Sequence, residues 1–170
     1  MEYAEQSLVQ TVTLTTKIAA PIERCFLLSL SIDLHQQSAS ATGERAIAGV
    51  THGIIGANET VKWRGKHFGL WLTHTTIISG YESPRWFQDS MMHGLFKSFV
   101  HDHYIEPQRD GSTLMRDELS FAAPLGLLGT LVEKIELREH MRSFLIERND
   151  VIRRVAESGD EWQQYLPPAL

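Results

Sequence analysis

Cysteine occurs once in the 170 residues, at Cys25, which excludes an internal disulfide framework and a multi-cysteine metal site. Its setting, Cys25-Phe26-Leu27-Leu28, is apolar and marks a buried, inert thiol rather than a nucleophile. No apolar run approaches the roughly 20 residues that span a bilayer. The first residues, Met1-Glu2-Tyr3-Ala4-Glu5, lack the basic start and apolar stretch of a secretory signal. A cytoplasmic protein without stable membrane insertion is expected. Basic charge is also scarce: 16 Lys and Arg stand against 21 Asp and Glu, a net charge of -5. No Lys/Arg stripe stands out, so nucleic acid is not an expected partner. Arg138, Arg142, Arg148, Arg153 and Arg154 alternate with Glu133, Glu136, Glu139 and Glu147, the pattern of a solvated helix face. No Gly-x-Gly-x-x-Gly fingerprint, Walker loop or Gly-x-Ser-x-Gly elbow is present, which speaks against nucleotide and serine-hydrolase chemistry; no cofactor is expected.

What is there suits one domain over 1–170, with a folded core at 8–158 and peripheral tails at 1–6 and 159–170. The apolar fraction of 42% is enough to build such a core. From Leu8 to Ile18 the chain alternates, with Leu8, Val12 and Leu14 on one side and Thr11, Thr13 and Thr15 on the other, as in a half-buried strand. Pro21 suits the first turn of a helix, so 22–30 and 33–37 read as two short helices. Glycine and proline then punctuate segments rich in β-branched and aromatic residues, predicting strands near 44–50, 58–65, 67–79, 85–93, 96–106 and 112–122. Asp110-Gly111 is the clearest hairpin turn. Short turns between consecutive strands imply an antiparallel meander. From Pro124 to about Ser158 the pattern is helical. The fold class is α+β: a strongly curved antiparallel sheet of about seven strands around a long C-terminal helix, with a cavity between them.

The long helix has two apolar stripes. At about 100° per residue, Leu128, Leu131, Val132 and Ile135 form one, and Leu137, Met141, Phe144, Val151, Ile152 and Val155 form another on the opposite side. One straight helix cannot bury both against one sheet. The expectation is a separately oriented or kinked lid over 125–136, with 137–156 on the sheet.

Several motifs appear in order: Ala20-Pro21-Ile22-Glu23; Val61-Lys62-Trp63-Arg64-Gly65-Lys66-His67-Phe68-Gly69; Arg85-Trp86-Phe87-Gln88-Asp89; Gly94-Leu95-Phe96; His101-Asp102-His103; and Asp117 ahead of Pro124-Leu125-Gly126. Together with the element order they resemble the START-like (SRPBCC) superfamily of polyketide cyclases, dehydrases and lipid-transport domains, and within it a bacterial subgroup of stand-alone single domains. Leu95 stands where that subgroup pattern has proline, and Lys97-Ser98-Phe99 replaces a more aromatic-basic run. The resemblance implies a helix-grip fold whose cavity takes a hydrophobic or amphipathic small molecule, with no particular reaction attached.

Counting strand residues in twos puts Thr113, Met115, Asp117, Leu119 and Phe121 on one inward face. Phe99, His101, His103 and Ile105 fall on a second, and Phe87, Asp89 and Met91 on a third. Asp89, His101, His103 and Asp117 then converge in an otherwise apolar wall. An imidazole beside a carboxylate can move a proton at a carbon next to a carbonyl, as cyclisation or dehydration requires. The four can equally satisfy one another as a buried network or orient a ligand. His101 and His103 with Asp117 would also suit a two-His, one-carboxylate metal set, but His-x-His is common by chance and no metal is expected. Trp63, Arg64, His67 and Phe68 form a second cluster, in which Arg64 could clamp an anionic group or stack on a tryptophan. The expected cavity lining is Trp63, Arg64, His67, Trp71, Phe87, Met91, Phe99, Met115, Leu119, Phe121, Leu128 and Leu131. His35, His52, His74 and His140 show no evident partner and read as surface or turn residues.

Three functions follow from different features. A binder of a lipid, isoprenoid or aromatic polyketide predicts a continuous cavity of roughly a few hundred Å3 or more. A cyclase or dehydratase requires the His/Asp group to reach that cavity. A ligand-free interaction module, monomeric or homodimeric, would use the Leu128–Ile135 stripe as an apolar patch.

Overall fold

The computed structural model describes residues 9–67, 69–123 and 131–167; the side chains of His67 and of residues 131–134 are outside the description. Strand β1 (Gln10–Ile18) leads into helices α1 (Ile22–Ser29) and α2 (Ile32–Ser38). Strands β2 (Arg45–Gly49), β3 (Thr60–His67), β4 (Leu70–Glu82), β5 (Trp86–His93), β6 (Ser98–Pro107) and β7 (Thr113–Ala122) follow, then helix α3 (Leu131–Ala156). The local signals act as their chemistry dictates. Pro21, at φ -63°, caps α1, and the Ser31 hydroxyl accepts from the Leu34 amide at 3.3 Å to cap α2. In the β6–β7 hairpin Gly111 takes φ +81°, while Asp110 accepts from the Ser112 amide at 3.1 Å and from Lys17 at 2.7 Å. Gly49 is required where β2 turns toward β3. Its φ is +74°, and a Cβ there would sit 2.2 Å from the Thr60 carbonyl oxygen.

All pairings are antiparallel, in the order β1-β7-β6-β5-β4-β3-β2. Strands β2 to β7 form a meander, and β1 closes against β7. Irregularities at Ala46/Ala48, Thr75/Thr76 and Ile78/Gly80 bend the strands they interrupt, as bulges do. The concave face receives α1, α2 and α3. This is the helix-grip arrangement that the sequence predicts.

The core lies between these layers. Phe26 of α1 meets Phe87 of β5 edge-on at 5.8 Å, and Ile105, Met115, Ile152 and Val155 are at most 2% exposed beside them. A second cluster joins Val12, Leu119 and Phe121 to Leu137 and Leu145 of α3. After α3, the stretch expected as a tail forms a 3-10 turn, Glu161–Tyr165, and Trp162, Tyr165 and Leu166 pack partly buried on the core.

The lid expectation is corrected in part. Helix α3 is continuous from Leu131 to Ala156, so 131–136 is no separate element. The stripe from Leu137 to Val155 faces the sheet, while Ile135 is 54% exposed. Residues 125–130, with Leu128, lie outside the described residues.

Candidate functional site

Between the sheet and α3 lies a cavity of about 160 Å3, smaller than the volume expected from the sequence. Trp63, Met91, Phe99 and Leu119 form much of its apolar wall, joined by Leu137 and Met141 from α3. Asp89, His101 and His103 form a polar pole on it.

That pole is assembled by register. Asp89 pairs with His101 across β5–β6, and His103 with Asp117 across β6–β7, so all four side chains project from the concave face. Asp117, 1% exposed, is the anchor. Its Oδ1 is 3.0 Å from His101 Nε2 and 2.9 Å from His103 Nδ1. The first contact is a hydrogen bond; the second is misaligned for one and acts as an ion pair. Asp117 Oδ2 accepts from Asn149 Nδ2 at 2.6 Å, and the same amide donates to Thr16 at 3.1 Å. Arg148 lies 3.8 Å from Asp117 and donates to the Ser29 carbonyl. On the cavity side, His103 Nε2 donates to Asp89 Oδ1 at 2.8 Å, while His101 Nδ1 stays 3.7 Å from that oxygen. Phe87 stacks on His103 at 4.0 Å.

The electrostatics divide the two imidazoles. Burial, reinforced by the neighbouring His103 charge, lowers the His101 pKa and keeps that ring neutral. Burial also opposes charge on His103, but Asp117 and Asp89 outweigh it and raise its pKa. Burial would raise both carboxylates, yet the imidazole contacts win, holding Asp89 below and Asp117 well below the usual range. Two carboxylates are thus balanced by His103 and Arg148. Because Asp117 accepts from His101 Nε2, the lone pair of His101 lies on Nδ1, toward Asp89 and the cavity. The pole therefore offers acceptors, and what fits it is a hydrogen-bond donor.

The trio whose geometry could hold a metal ion differs from the one the sequence suggested. Asp89, His101 and His103 bring donor atoms within 4.8 Å of one another, whereas Asp117 lies behind both rings and orients them.

Other predicted residues are placed differently. Phe87, Met115 and Phe121 are buried in the core behind the cavity. Arg64 and Trp71 were expected to line it, but both project from the convex face, where Trp71 is 56% exposed beneath the Arg64 guanidinium. Strand alternation explains this: Trp63 and Leu72 take the inward positions next to them. His67 and Leu131 belong to β3 and α3, and their side chains are not described.

Sequence reading also missed a second polar group. Glu44 is 3% exposed, and His35 meets it at 2.8 Å and His74 at 3.8 Å. His35 lies over Trp63, with ring centroids 4.3 Å apart, and His140 also lines the cavity. These histidines, read as surface residues, are therefore interior. Counting in twos from Ile78 would have put His74 inward. Arg148, assigned to a solvated face, is 6% exposed; it and Asn149 sit between Leu145 and Ile152, at the helical spacing of the buried stripe.

No protein-family model matches the chain, and no curated protein is similar to it in sequence. Solved structures do resemble it. An aromatase/cyclase from a Streptomyces species superposes with a TM-score of 0.71 at 13% identity, covering 88% of this chain and 94% of its own. A START superfamily protein from Mycobacterium smegmatis gives 0.59 at 18% identity, covering 82% and 97%. The major latex-like protein 151 of Panax ginseng gives 0.62 at 13% identity, covering 89% and 99%.

Proposed function

With a START-like helix-grip fold as its frame, we propose that this chain binds a compact amphipathic molecule, an apolar ring system bearing a hydroxyl or similar hydrogen-bond donor. The observation that carries this reading is the about 160 Å3 cavity walled by apolar side chains and ended by the acceptor pole of Asp89 and His101. A cavity of about 150 Å3 holds a benzene-sized molecule, so this volume favours a short aromatic or isoprenoid ligand over a long acyl chain. The similar aromatase/cyclase fits a ring-shaped guest.

Catalysis is the second reading, favoured by one feature. His101 is neutral, carries its lone pair on the cavity side and is oriented from behind by Asp117. That is the arrangement of a general base, and protonated His103 beside it could return the proton.

The deciding experiment is native mass spectrometry of protein purified gently from its own host, with extraction of anything bound. A stoichiometric small apolar adduct, lost in Asp89→Asn, supports the binding reading. A long-chain lipid adduct, or an adduct indifferent to Asp89→Asn, would contradict it.

A further inference from the structure

Four basic side chains stand together on the convex face, at the β2 edge of the sheet. Lys62, Arg64 and Lys66 occupy the exposed alternate positions of β3, and the register sets Arg45 of β2 opposite Arg64. Like charges directly opposite across a ladder destabilise it. Several other exposed cations are paired: Lys17 with Asp110 at 2.7 Å, Arg153 with Asp150 at 2.7 Å and Arg154 with Glu161 at 2.6 Å. Among the described residues Arg85, Lys97, Arg109 and Arg142 are exposed without such a pair but do not gather on one face of a hairpin. Among the described residues none of Arg45, Lys62, Arg64 and Lys66 has such a partner; Arg64 lies over the Trp71 ring, 5.0 Å from its centroid. Between Arg45 and Tyr81 the only acid besides them is Glu59, although the chain carries a net charge of -5. The fold thus builds a cationic stripe that the linear sequence conceals.

Trp71 borders that stripe on the same face, and Leu70, of the opposite parity, is exposed beside it at the hairpin end. Lys66 pairs across the hairpin with Trp71, and His67 with Leu70. Leu70 is 65% exposed, Trp71 56% and Ile47, on β2, 48%. The next residues along β4, Leu72 to His74, line the cavity, so this hairpin end is also part of the cavity rim.

We propose that this face docks on an anionic lipid surface. Trp71 and Leu70 enter the headgroup layer, and Arg45, Lys62, Arg64 and Lys66 meet the lipid phosphates. A tryptophan beside aliphatic and basic side chains is the chemistry of a membrane–water interface. A nucleic acid would answer the four cations but leave Leu70 and Ile47 against water and phosphate. Docking in this pose sets the cavity rim at the bilayer, and it does not require the cavity to be filled.

The test is co-sedimentation of the full chain with phosphatidylcholine vesicles, with and without phosphatidylglycerol, over a range of NaCl. Binding is expected only with phosphatidylglycerol and is expected to fall with salt. Each Lys or Arg brought to such a surface strengthens binding about fivefold, so Lys62→Gln with Lys66→Gln should weaken it about 25-fold. Trp71→Ser should weaken it as well, and the ion-paired control Arg153→Gln with Arg154→Gln should not. Equal binding to both vesicle types, no binding to either, or equal loss in the control would overturn the proposal. So would retention of a single-stranded DNA oligonucleotide by the same four cations without vesicle binding. The lipid and salt comparisons use the unaltered protein and stand even if a variant misfolds.

Discussion

His101 and His103, two residues apart on one face of β6, turn different ring nitrogens to a single oxygen: Asp117 Oδ1 is 3.0 Å from His101 Nε2 and 2.9 Å from His103 Nδ1. One buried carboxylate thereby orients both rings, and Asn149 and Arg148 of α3 tie it to the helix that closes the cavity. Replacing Asp117 with Asn keeps the shape and removes the charge, leaving protonated His103 and Arg148 with Asp89 alone. Breaking a buried ion pair from one side costs about 3–5 kcal/mol. Asp117→Asn is therefore expected to lower the unfolding free energy measured in urea by that amount, through a lower midpoint at an unchanged m-value, and a loss below about 1 kcal/mol would show the contact to be a surface-like pair.

The same group predicts a stability maximum near pH 6.5. Folding raises the His103 pKa above its ordinary 6.5, so the folded state holds the extra proton. That contribution is complete below pH 6.5 and is lost as pH rises through the raised value. Folding lowers the His101 pKa below 6.5, so its contribution is present above pH 6.5 and is lost as pH falls. The carboxylates, lowered from 3.8, add a further loss only in stronger acid. Thermal midpoints across pH should fall on both sides, and His103→Gln should remove the alkaline limb and, because the His103 charge helps to lower the His101 pKa, soften the acid limb without abolishing it. An alkaline limb that survives His103→Gln assigns it to another group.

Cys25 is fully buried, and burial pushes its thiol up to about 11. Iodoacetamide at pH 8 should leave the folded protein unmodified and alkylate it once, at Cys25, in denaturant. Mass spectrometry reads the count, and alkylation of the native protein within minutes would show that α1 opens locally.

Met141, half-buried on α3, lines the cavity opposite the sheet. Met141→Trp should fill it, at a cost of about 1–3 kcal/mol for overpacking, and abolish binding of an apolar fluorescent dye. Undiminished dye binding in a folded Met141→Trp variant would place the binding surface elsewhere.

Much of the candidate site can be read along single strands. Alternation places Asp117 between Met115 and Leu119 on an apolar face, and His101 and His103 between Phe99 and Ile105. Each parity is a local consequence of the pleat and needs no knowledge of neighbours. The sequence by itself therefore determined the elements, their order and the inward faces of β5, β6 and β7. It could not determine which outward or interrupted positions meet. The parity rule also applies to Trp63/Arg64 and Leu72/Trp71, but motif proximity drew Arg64 and Trp71 into the cavity in the sequence reading, and the pleat turns them out. Glu44 and His35 join only because the turn after α2 folds back on the helix, and Arg148 is buried because α3 lies across Ser29 and Asp117. The cationic stripe exists only once β2 pairs with β3 and sets Arg45 beside Arg64. Periodicity is a property of one segment, whereas charge balance, cavity volume and surface patches depend on the register between segments, which only the tertiary structure decided.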